Sequence, residues 1–281
     1  MPELPEVETV RRSLETLTVG RRIDRVDVRL LRIVRRPNPV EFMARMQGAR
    51  IEAVSRRGKY LLFDLGHDVL IVHLRMEGRF GFYAAADPIL MHTHVIFHFK
   101  EDMDLRYQDV RQFGTMDLLA KSDLEKFIPL SSLGLEPLDA HFTSAYLKEK
   151  LRTRRAPIKA VLLDQSVVAG LGNIYVDEIL FAAQIHPERM ASKLSMKDLT
   201  RIVDASVEVI QHAIQLGGSS IKSYVNGYGQ PGSFQYALRV YGRQGQACLR
   251  CGSTIYKGRV AGRGTHVCLS CQKAPRAATI R

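Results

Sequence analysis

Apolar and polar residues alternate along short stretches between about residues 22 and 120. The alternation is clearest at Val26–Leu30 and in part of Val95–Phe99, and short apolar runs cover Tyr60–Leu65 and Val69–Leu74. Gly66–Asp68 separates those two runs, which is the pattern of a β-hairpin. Because many short strands with frequent turns are typical of sandwiches and barrels, this part of the chain is predicted to be one or the other.

A helical period replaces this alternation at the N-terminus. Apolar residues follow Pro5 at helical spacing, and Pro5 itself suits the first turn of a helix, where its missing N–H is no loss. These positions are Val7, Val10, Leu14 and Leu17. The pattern therefore predicts an N-terminal helix that begins at Pro5.

The helical period returns in the second half of the chain. It predicts helices at Thr143–Arg152, Pro157–Val168 and Asn173–Ala183. Ser195–Asp198 resembles a capping box and opens the strongest predicted helix, which ends at Gly217–Gly218. The second half is therefore predicted to be mainly helical.

The charge of the chain is unevenly distributed. Forty-one Lys and Arg residues against 29 Asp and Glu give a net charge of +12, and no acidic residue follows Glu208. A one-signed basic surface favours a polyanionic partner, and nucleic acid is favoured over lipid because no amphipathic basic helix accompanies the charge. The sequence also has no apolar run of about 18 residues and no secretion signal, so a cytoplasmic, nucleoid-associated protein is expected.

The cysteines form a metal-binding pattern. They are Cys248, Cys251, Cys268 and Cys271, two C-x2-C pairs separated by sixteen residues. Four thiolates at this spacing are typical of a structural zinc ribbon, and two disulfides are the alternative. One Zn²⁺ is therefore predicted, with Lys257, Arg259, Arg263 and His266 between the two pairs available to contact phosphates.

The first residues of the chain can supply a nucleophile. Removal of Met1, which a small following residue permits, would leave Pro2 with a free secondary amine beside the Glu3 carboxylate. An unblocked amine on a rigid helix entry can attack a carbon electrophile and form an iminium ion. On these residues alone, an ordinary helix start with a frayed terminus is the alternative.

Six motifs in one order resemble the bacterial formamidopyrimidine-DNA glycosylase family. The resemblance runs from residue 2 to about residue 272, and no single motif carries it. The motifs are Pro2–Glu6, Lys59–Leu62, His73–Phe80, Asp109–Gly114, Gly170–Tyr175 and the four-cysteine ribbon that bears Arg263.

The resemblance implies roles for individual residues. Pro2 would be the Schiff-base nucleophile and Glu3 the general acid, while Lys59 and Arg263 would assist elimination and contact phosphate. His73 and Asn173 would bind the backbone around the lesion. Met76, Arg111 and Phe113 would fill the gap left by a flipped nucleotide. The remaining DNA contacts would be Glu77, His92, Arg154 (or Arg155), Lys257 and Arg259.

The resemblance also implies an α+β multidomain fold. It joins an N-terminal β-sandwich with a flanking helix to a helical helix–two-turn–helix module and a four-cysteine zinc ribbon. The expected divisions are a catalytic domain at 1–128, a linker at 129–142, a helical domain at 143–236 with a mobile lesion loop at 217–236, the ribbon at 237–272 and a tail at 273–281.

The chain departs from the family pattern at two places. Gln112 stands where the family often has a second arginine, which is expected to weaken a contact with the DNA backbone. Residues 273–281 extend past the usual end and are expected to form a disordered tail.

The sequence therefore predicts a bifunctional glycosylase and AP lyase of base excision repair. It would act as a monomer on damaged double-stranded DNA and remove 8-oxoguanine and formamidopyrimidines by β,δ-elimination. One alternative is an endonuclease VIII-like enzyme for oxidised pyrimidines, which Leu4 disfavours because those relatives usually have Gly there. A catalytically inactive zinc-ribbon DNA-binding protein is the other, and Pro2, Glu3 and Lys59 disfavour it.

Overall fold

The computed structural model describes residues 1–220, 226–275 and 278–280, and it divides the chain into two compact units. The first unit contains residues 1–131 and 216–233, and the second contains residues 132–215 and 234–281. The division near Ser131 falls inside the segment predicted to be a linker.

The described part of the first unit contains two β-sheets. Antiparallel pairing orders one sheet β1-β7-β8-β6, and the other has the order β2-β9-β5-β4-β3 with a parallel pair at β2 and β9. The strands are β1 Ile23–Val28, β2 Val34–Arg36, β3 Ala53–Arg57, β4 Tyr60–Asp64, β5 Asp68–His73, β6 Arg79–Ala84, β7 Thr93–Phe99, β8 Met103–Gln108 and β9 Thr115–Ala120.

One hydrophobic core lies between these sheets, so the first unit is a β-sandwich. Phe63 and Val72 from one sheet and Phe97 and Leu105 from the other belong to the same buried cluster. The hairpin predicted at Gly66–Asp68 is confirmed, because β4 and β5 pair antiparallel on either side of it.

Two helices cover the edges of this core. Helix α1, Leu4–Thr18, buries the predicted face of Val7, Val10 and Leu14. Helix α2, Pro39–Met46, was not predicted, although Asn38 caps it by accepting hydrogen bonds from two first-turn N–H groups. A short 3₁₀ turn at Leu31–Ile33 precedes β2.

The second unit is helical up to about residue 215. A short helix, α3 at Ile128–Ser131, lies at the end of the segment 1–131 of the first unit, just before the second unit begins. The helices of the second unit are α4 Ser144–Leu151, α5 Ile158–Leu162, α6 Asn173–Ala182 and α7 Met196–Gln215. Ser195 and Asp198 form the expected capping box, in which each backbone N–H donates to the side chain of the other residue. Helix α5 is shorter than predicted because Asp164 accepts hydrogen bonds from Ser166, and this local turn replaces a further helical turn.

A two-stranded antiparallel hairpin follows the helices. Its strands are β10 Tyr256–Val260 and β11 Arg263–Val267, and the turn between them contains Ala261 and Gly262. Glu178 of α6 anchors the approach to this ribbon, since its carboxylate accepts hydrogen bonds from the N–H groups of Arg239, Val240 and Tyr241.

A buried ion pair joins the helices to the hairpin and corrects the role expected for His266. Lys159 is fully buried, and its ammonium donates to Asp177 at 2.6 Å and to the carbonyl of Gly264 at 2.9 Å. Asp177 also accepts the backbone N–H of His266 at 2.9 Å, and the His266 side chain is buried against it. Lys159 and His266 therefore hold the hairpin in place and are not exposed phosphate ligands.

The segment 216–233 belongs to the first unit, which differs from its assignment to the helical domain. The loop predicted at 217–236 is attached to α1 by hydrogen bonds from Ser219 to Glu6 and from Gly227 to Ser13. Contacts across more than two hundred residues of sequence therefore decide its place. The part of this loop at residues 221–225 lies outside the described residues.

The predicted disordered tail is folded where it is described. Ala278 and Ile280 are buried, and Ile280 packs with Val260 and Val267 of the hairpin. The Glu188 carboxylate accepts the backbone N–H groups of Thr279 and Ile280. The tail thus covers one face of the hairpin, because Gly258 leaves room for the Ile280 side chain.

Across the described residues, the longest helices are too short or too polar to cross a bilayer.

Candidate functional site

Two buried carboxylates, Glu3 and Glu6, lie where the N-terminus leads into helix α1. Pro2 and Glu3 are both buried, and Glu3 is the N-cap residue of α1. The backbone N–H of Glu3 donates to Glu6 Oε2 at 2.8 Å, as in a capping box. Pro2 is therefore held next to a rigid helix entry and does not lie on a frayed end.

A cleft of about 590 Å³ in the first unit brings the N-terminus together with the three residues predicted to fill the gap left by a flipped nucleotide. We call these residues, Met76, Arg111 and Phe113, the wedge. Met1, Met76, Arg111 and Phe113 all line the cleft. The Arg111 guanidinium stacks 4.8 Å from the centre of the Phe113 ring, and Phe113 is 51% exposed. An apolar ring and a cation are thus presented side by side at the edge of a basic cleft.

Three arginines line the same cleft and were not predicted. They are Arg32, Arg35 and Arg75. Arg32 donates to the side chain of Gln112, so the neutral residue at the family's second arginine position serves to hold another arginine. The pair Arg35-Arg36 before Pro37 marks a local concentration of basic charge in the sequence, but only the fold shows which of the two side chains faces the cleft.

Asp109 shapes the turn that carries Arg111 and Phe113. This buried carboxylate accepts the backbone N–H groups of Arg111 at 3.1 Å, Phe113 at 2.9 Å and Gly114 at 2.8 Å. Such a side-chain-to-backbone turn fixes the local chain direction. Asp109 therefore fixes the backbone of the turn that carries Arg111 and Phe113.

His92 is connected to the same turn and to a buried arginine. Its carbonyl accepts the N–H of Asp109 at 3.1 Å, and its φ of 63° lies in the left-handed region. The loop that leads to it is held by Arg106, which is fully buried and donates to the carbonyls of Asp87 and Pro88. His92 is half-buried and occupies a fixed position at the end of this loop.

Left-handed backbone recurs around the predicted contacts. Besides His92, Arg75 precedes Met76 with a φ of 55°, and Gln112 lies between Arg111 and Phe113 with a φ of 57°. Such conformations are unfavourable for residues with a side chain and cluster at functional sites, where surrounding structure enforces them. The strain coincides with the predicted wedge. Glu77, which follows Met76 in the sequence, is half-buried.

Lys59 and His73 lie close together in the first unit. Lys59 occupies the turn between β3 and β4 and is only 6% exposed, and His73 ends β5. Burial, together with the positive charges of Arg75 and Lys59, lowers the pKa of His73 to about 3. Its Nδ1 accepts the backbone N–H of Arg75 at 2.9 Å, so the ring is neutral and carries its proton on Nε2. His73 can therefore donate one hydrogen bond to a phosphate without gaining charge.

Asn173 and Arg263 meet in the second unit. Asn173 begins α6, and its Nδ2 donates to the carbonyl of Gly264 at 2.9 Å, directly after Arg263 in β11. A helix N-terminus favours an anion, because its first N–H groups have no partner within the helix. Arg263 is exposed at the hairpin turn. The helix start and the strand that carries Arg263 are thus joined at the Gly264 carbonyl, which also accepts a hydrogen bond from the buried Lys159 ammonium.

The other predicted basic residues of this unit are exposed. Lys257 and Arg259 extend from β10, and Arg154 forms an ion pair with Asp164 at 3.3 Å. A surface pair of this kind contributes little stability, so Arg154 can exchange its partner for a phosphate at small cost.

The four cysteines are placed to hold one zinc ion. Their Sγ atoms all lie within 4.8 Å of one another, with Cys251 and Cys268 at 3.5 Å and Cys248 and Cys271 at 4.0 Å. A zinc ion with four Zn–S bonds of about 2.3 Å requires Sγ atoms about 3.8 Å apart. The observed spacing matches, so the donors fit one structural Zn²⁺. The Arg250 N–H donates to Cys248 Sγ, a common contact of metal thiolates.

Family models match the chain in three consecutive segments. Residues 1–116 match the formamidopyrimidine-DNA glycosylase N-terminal domain, residues 133–225 the H2TH domain of the same enzymes, and residues 245–274 a zinc finger found in FPG and IleRS. These segments together cover most of the chain.

Similar proteins agree with the models. A formamidopyrimidine-DNA glycosylase of Brevibacillus brevis is 54% identical over 97% of this chain and 99% of its own length, and one of Cytobacillus firmus is 50% identical over 92% and 94%. The Lactococcus lactis Fpg in complex with abasic-site DNA is 42% identical, covers 97% of this chain and 100% of its own and has a TM-score of 0.92. The same enzyme bound to DNA containing N7-benzyl-Fapy-dG has a TM-score of 0.91 at 43% identity, with the same coverage.

The lowered pKa of His73 predicts a specific dependence of stability on pH. The unfolded chain binds a proton near the ordinary pKa of about 6.5, whereas the folded chain binds it only near pH 3. This contribution to stability is therefore complete above about pH 6.5 and is lost progressively as the pH falls toward 3. His73→Asn should flatten the fall in unfolding free energy over that window, as measured by denaturant titrations at several pH values. The exposed His67 gives the control His67→Asn, and an equal flattening in that variant would contradict the assignment.

The zinc site predicts a metal-dependent ribbon. We expect one zinc per chain by elemental analysis, and Cys248→Ser should weaken zinc binding by at least about 100-fold, because a ligand loss costs more than the loss of an outer contact. The ribbon should then unfold and DNA affinity should fall, while the circular dichroism of the β-sandwich is kept. Ser270→Ala changes an exposed neighbour of Cys271 and should keep its zinc. Active protein without zinc would refute the prediction.

Proposed function

The chain belongs to the formamidopyrimidine-DNA glycosylase family, and from that membership we propose how its own residues carry out the reaction. It is a DNA glycosylase of base excision repair with AP lyase activity, acting on oxidised purines such as Fapy-dG in damaged DNA. Its proposed place of action is the nucleoid in the cytoplasm, where that DNA lies.

In this proposal the Pro2 amine, free once Met1 is removed, attacks C1′ of the damaged nucleotide. The N–C1′ bond forms as the glycosidic bond breaks, the base leaves with the bonding electrons, and the proton that the nitrogen loses balances the one that the base takes up. Glu3 protonates the sugar ring oxygen as the ring opens, so that a charged iminium remains on Pro2. A secondary amine suits this step, because its iminium has no N–H proton to lose and keeps its positive charge.

Strand cleavage follows from the same intermediate. The iminium withdraws electrons, so a proton leaves C2′ and the C3′–O bond breaks in β-elimination. A second elimination breaks the C5′–O bond. Lys59, buried near His73, is proposed to assist the proton transfers of the first step, and Arg263 to contact phosphate and assist the second.

The wedge residues are proposed to make the base accessible. C1′ is shielded inside the duplex, so the damaged nucleotide must leave the stack, and this costs less for a damaged base than for a normal one. The apolar side chains of Met76 and Phe113 would fill the vacancy while Arg111 faces the orphaned partner base. His73, His92, Asn173, Arg154, Lys257 and Arg259 are proposed to bind the backbone, with Glu77 beside the wedge.

The observation that supports this proposal most is the single cleft lined by Met1, Met76, Arg111 and Phe113. A nucleophile at the N-terminus can act on an extruded nucleotide only if the residues that replace that nucleotide are near it. The cleft meets this requirement within one unit, and its additional arginines suit a phosphate-rich substrate.

The wedge predicts a difference between two substrates. Phe113→Ala should slow excision of 8-oxoguanine from a duplex by about tenfold or more, because lost stacking is worth about 1–3 kcal/mol. Cleavage of a preformed abasic site should stay within about twofold, since no base has to be extruded there. The rates are measured in single-turnover assays. Val110→Ala removes another exposed apolar side chain from the same turn and is the matched control. Equal losses on both substrates would count against the wedge.

The nucleophile predicts a covalent adduct with a defined position. Borohydride should reduce the iminium to a stable protein–DNA adduct, and mass spectrometry should locate it in the N-terminal peptide. A variant with residues fused ahead of Pro2 has an amide nitrogen there, whose lone pair is delocalised, so it should bind DNA but form no adduct. Glu3→Gln should lose base excision more than abasic-site cleavage. Efficient trapping of the fused variant would identify another amine, such as Lys59, as the nucleophile.

A further inference from the structure

Tyr60 lies opposite His73 on the outer face of the five-stranded sheet. Tyr60 of β4 and His73 of β5 are register partners, and Thr115 of β9 is the partner of His73 on its other side. Side chains of directly opposed residues point to the same face of a sheet. Their neighbours along the strands point to the other face and belong to the core of the sandwich, namely Leu61, Val72 and Met116. Tyr60, His73 and Thr115 therefore form one row on the face turned away from that core.

This row borders the basic cleft. Thr115 lines the cleft together with Arg35 and Arg75. Burial raises the pKa of Tyr60, and the positive charges of Arg75 and Arg35 oppose the rise. Burial and the same two guanidinium groups lower the pKa of His73. Both rings are therefore close to the cleft arginines, and both are uncharged at neutral pH.

The two rings meet at a right angle. Their centres are 4.6 Å apart, and their planes cross at 88°. Perpendicular packing is one of the arrangements that aromatic rings favour, because the positive edge of one ring faces the negative face of the other. The contact therefore favours one tilt of the His73 ring over the others.

The hydrogen bond from Arg75 cannot fix this tilt by itself. The Arg75 N–H donates to His73 Nδ1 at 2.9 Å and so sets the place of one ring atom. The last torsion of a histidine side chain is broad, so the ring plane can still swing about that atom. The Tyr60 ring limits the swing, and the two contacts together give the protonated Nε2 one direction.

Tyr60 is itself firmly held. It pairs with Arg57 where β3 turns into β4, and the turn between them contains Gly58 with a φ of 56°. Lys59, the other residue of this turn, is buried. Tyr60 is thus adjacent to Lys59 in sequence and to His73 across the ladder, on a strand in the middle of its sheet.

We propose that Tyr60 is a positioning residue for the phosphate contact of His73, which holds the imidazole ring at the orientation in which Nε2–H meets the DNA backbone. This rests on the proposed function, in which His73 binds the backbone around the lesion. Tyr60 acts through its ring and touches no reacting atom. The ring should therefore be required, whereas the hydroxyl should not.

The first test measures the affinity for a duplex that carries a reduced, uncleavable abasic site. Tyr60→Leu keeps an apolar side chain but removes the ring, and it should weaken binding about threefold to tenfold, the range of one aromatic pair. Tyr60→Phe keeps the ring and should bind within about twofold of the native protein on the same scale.

A double-mutant cycle shows whether Tyr60 acts through His73. In a His73→Asn background, Tyr60→Leu should change the affinity by less than about twofold, because the ring that it positions is gone. In an Arg263→Lys background His73 is intact, so Tyr60→Leu should again cost about threefold to tenfold. A merely structural role would give the same loss in both backgrounds.

Hydrogen exchange of the free protein tests the contact without DNA. The Arg75 amide should exchange about threefold to tenfold faster in Tyr60→Leu than in the native protein, because a swinging ring protects it less. Tyr60→Phe should leave the exchange of that amide unchanged.

The outcomes separate the two proposals. Equal losses in Tyr60→Leu and Tyr60→Phe, full additivity with His73→Asn, or unchanged exchange at Arg75 would overturn the role of Tyr60. If the cycle on abasic DNA came out as expected while the native protein failed to excise 8-oxoguanine, the role of Tyr60 would stand and the proposed function would fall.

Discussion

Buried carboxylates that accept backbone N–H groups determine where the functional segments of this protein lie, and Glu6 is the clearest case. A carboxylate removed from water is costly unless its oxygens are hydrogen-bonded. Glu6 meets that requirement with the N–H of Glu3 on one oxygen and that of Ser219 on the other. The fold therefore cannot bury Glu6 without also fixing the start of α1 and the segment that begins after α7.

The same physical device recurs at three other places. Asp109 gathers the N–H groups of the wedge turn, Glu178 those of the segment entering the ribbon, and Asp177 the N–H of His266 together with the Lys159 ammonium. Hydrogen bonds to an ionised acceptor are stronger than neutral ones and are directional. Irregular segments, which have no ladder or helix to fix them, are thus ordered by side chains that belong to regular elements nearby. Removing one such carboxylate should disturb a whole segment and not one contact.

The sequence predicted those features that depend on residues close together in the chain. The cysteine spacing gave the zinc site, hydrophobic periodicity gave α1 and the strands β1, β4, β5 and β7, and Ser195–Asp198 gave the start of α7. It could not predict that Lys159 and His266 are buried, because both depend on Asp177, which lies 18 and 89 residues away. The attachment of residues 216–233 to α1 depends on contacts over 213 and 214 residues, so the division expected from the resemblance placed that loop with the neighbouring helices. Of the cleft arginines, Arg75 and Arg111 belonged to recognised motifs and Arg32 and Arg35 did not, and Arg32, Arg35 and Arg75 become neighbours only when the sheet forms.

The proposed nucleophile, the amine of Pro2 at the start of the chain, poses a physical problem for the fold. Chain termini are normally exposed and frayed, whereas an amine that must reach one carbon atom has to be held within a fraction of an ångström of its productive position. Here Pro2 restricts its own torsion, Glu3 caps a helix, and Glu6 anchors that cap from inside the protein. Because the anchoring carboxylate also accepts the N–H of Ser219, the position of the N-terminus and that of the chain just after α7 are coupled. A change that loosens one of them should therefore loosen the other.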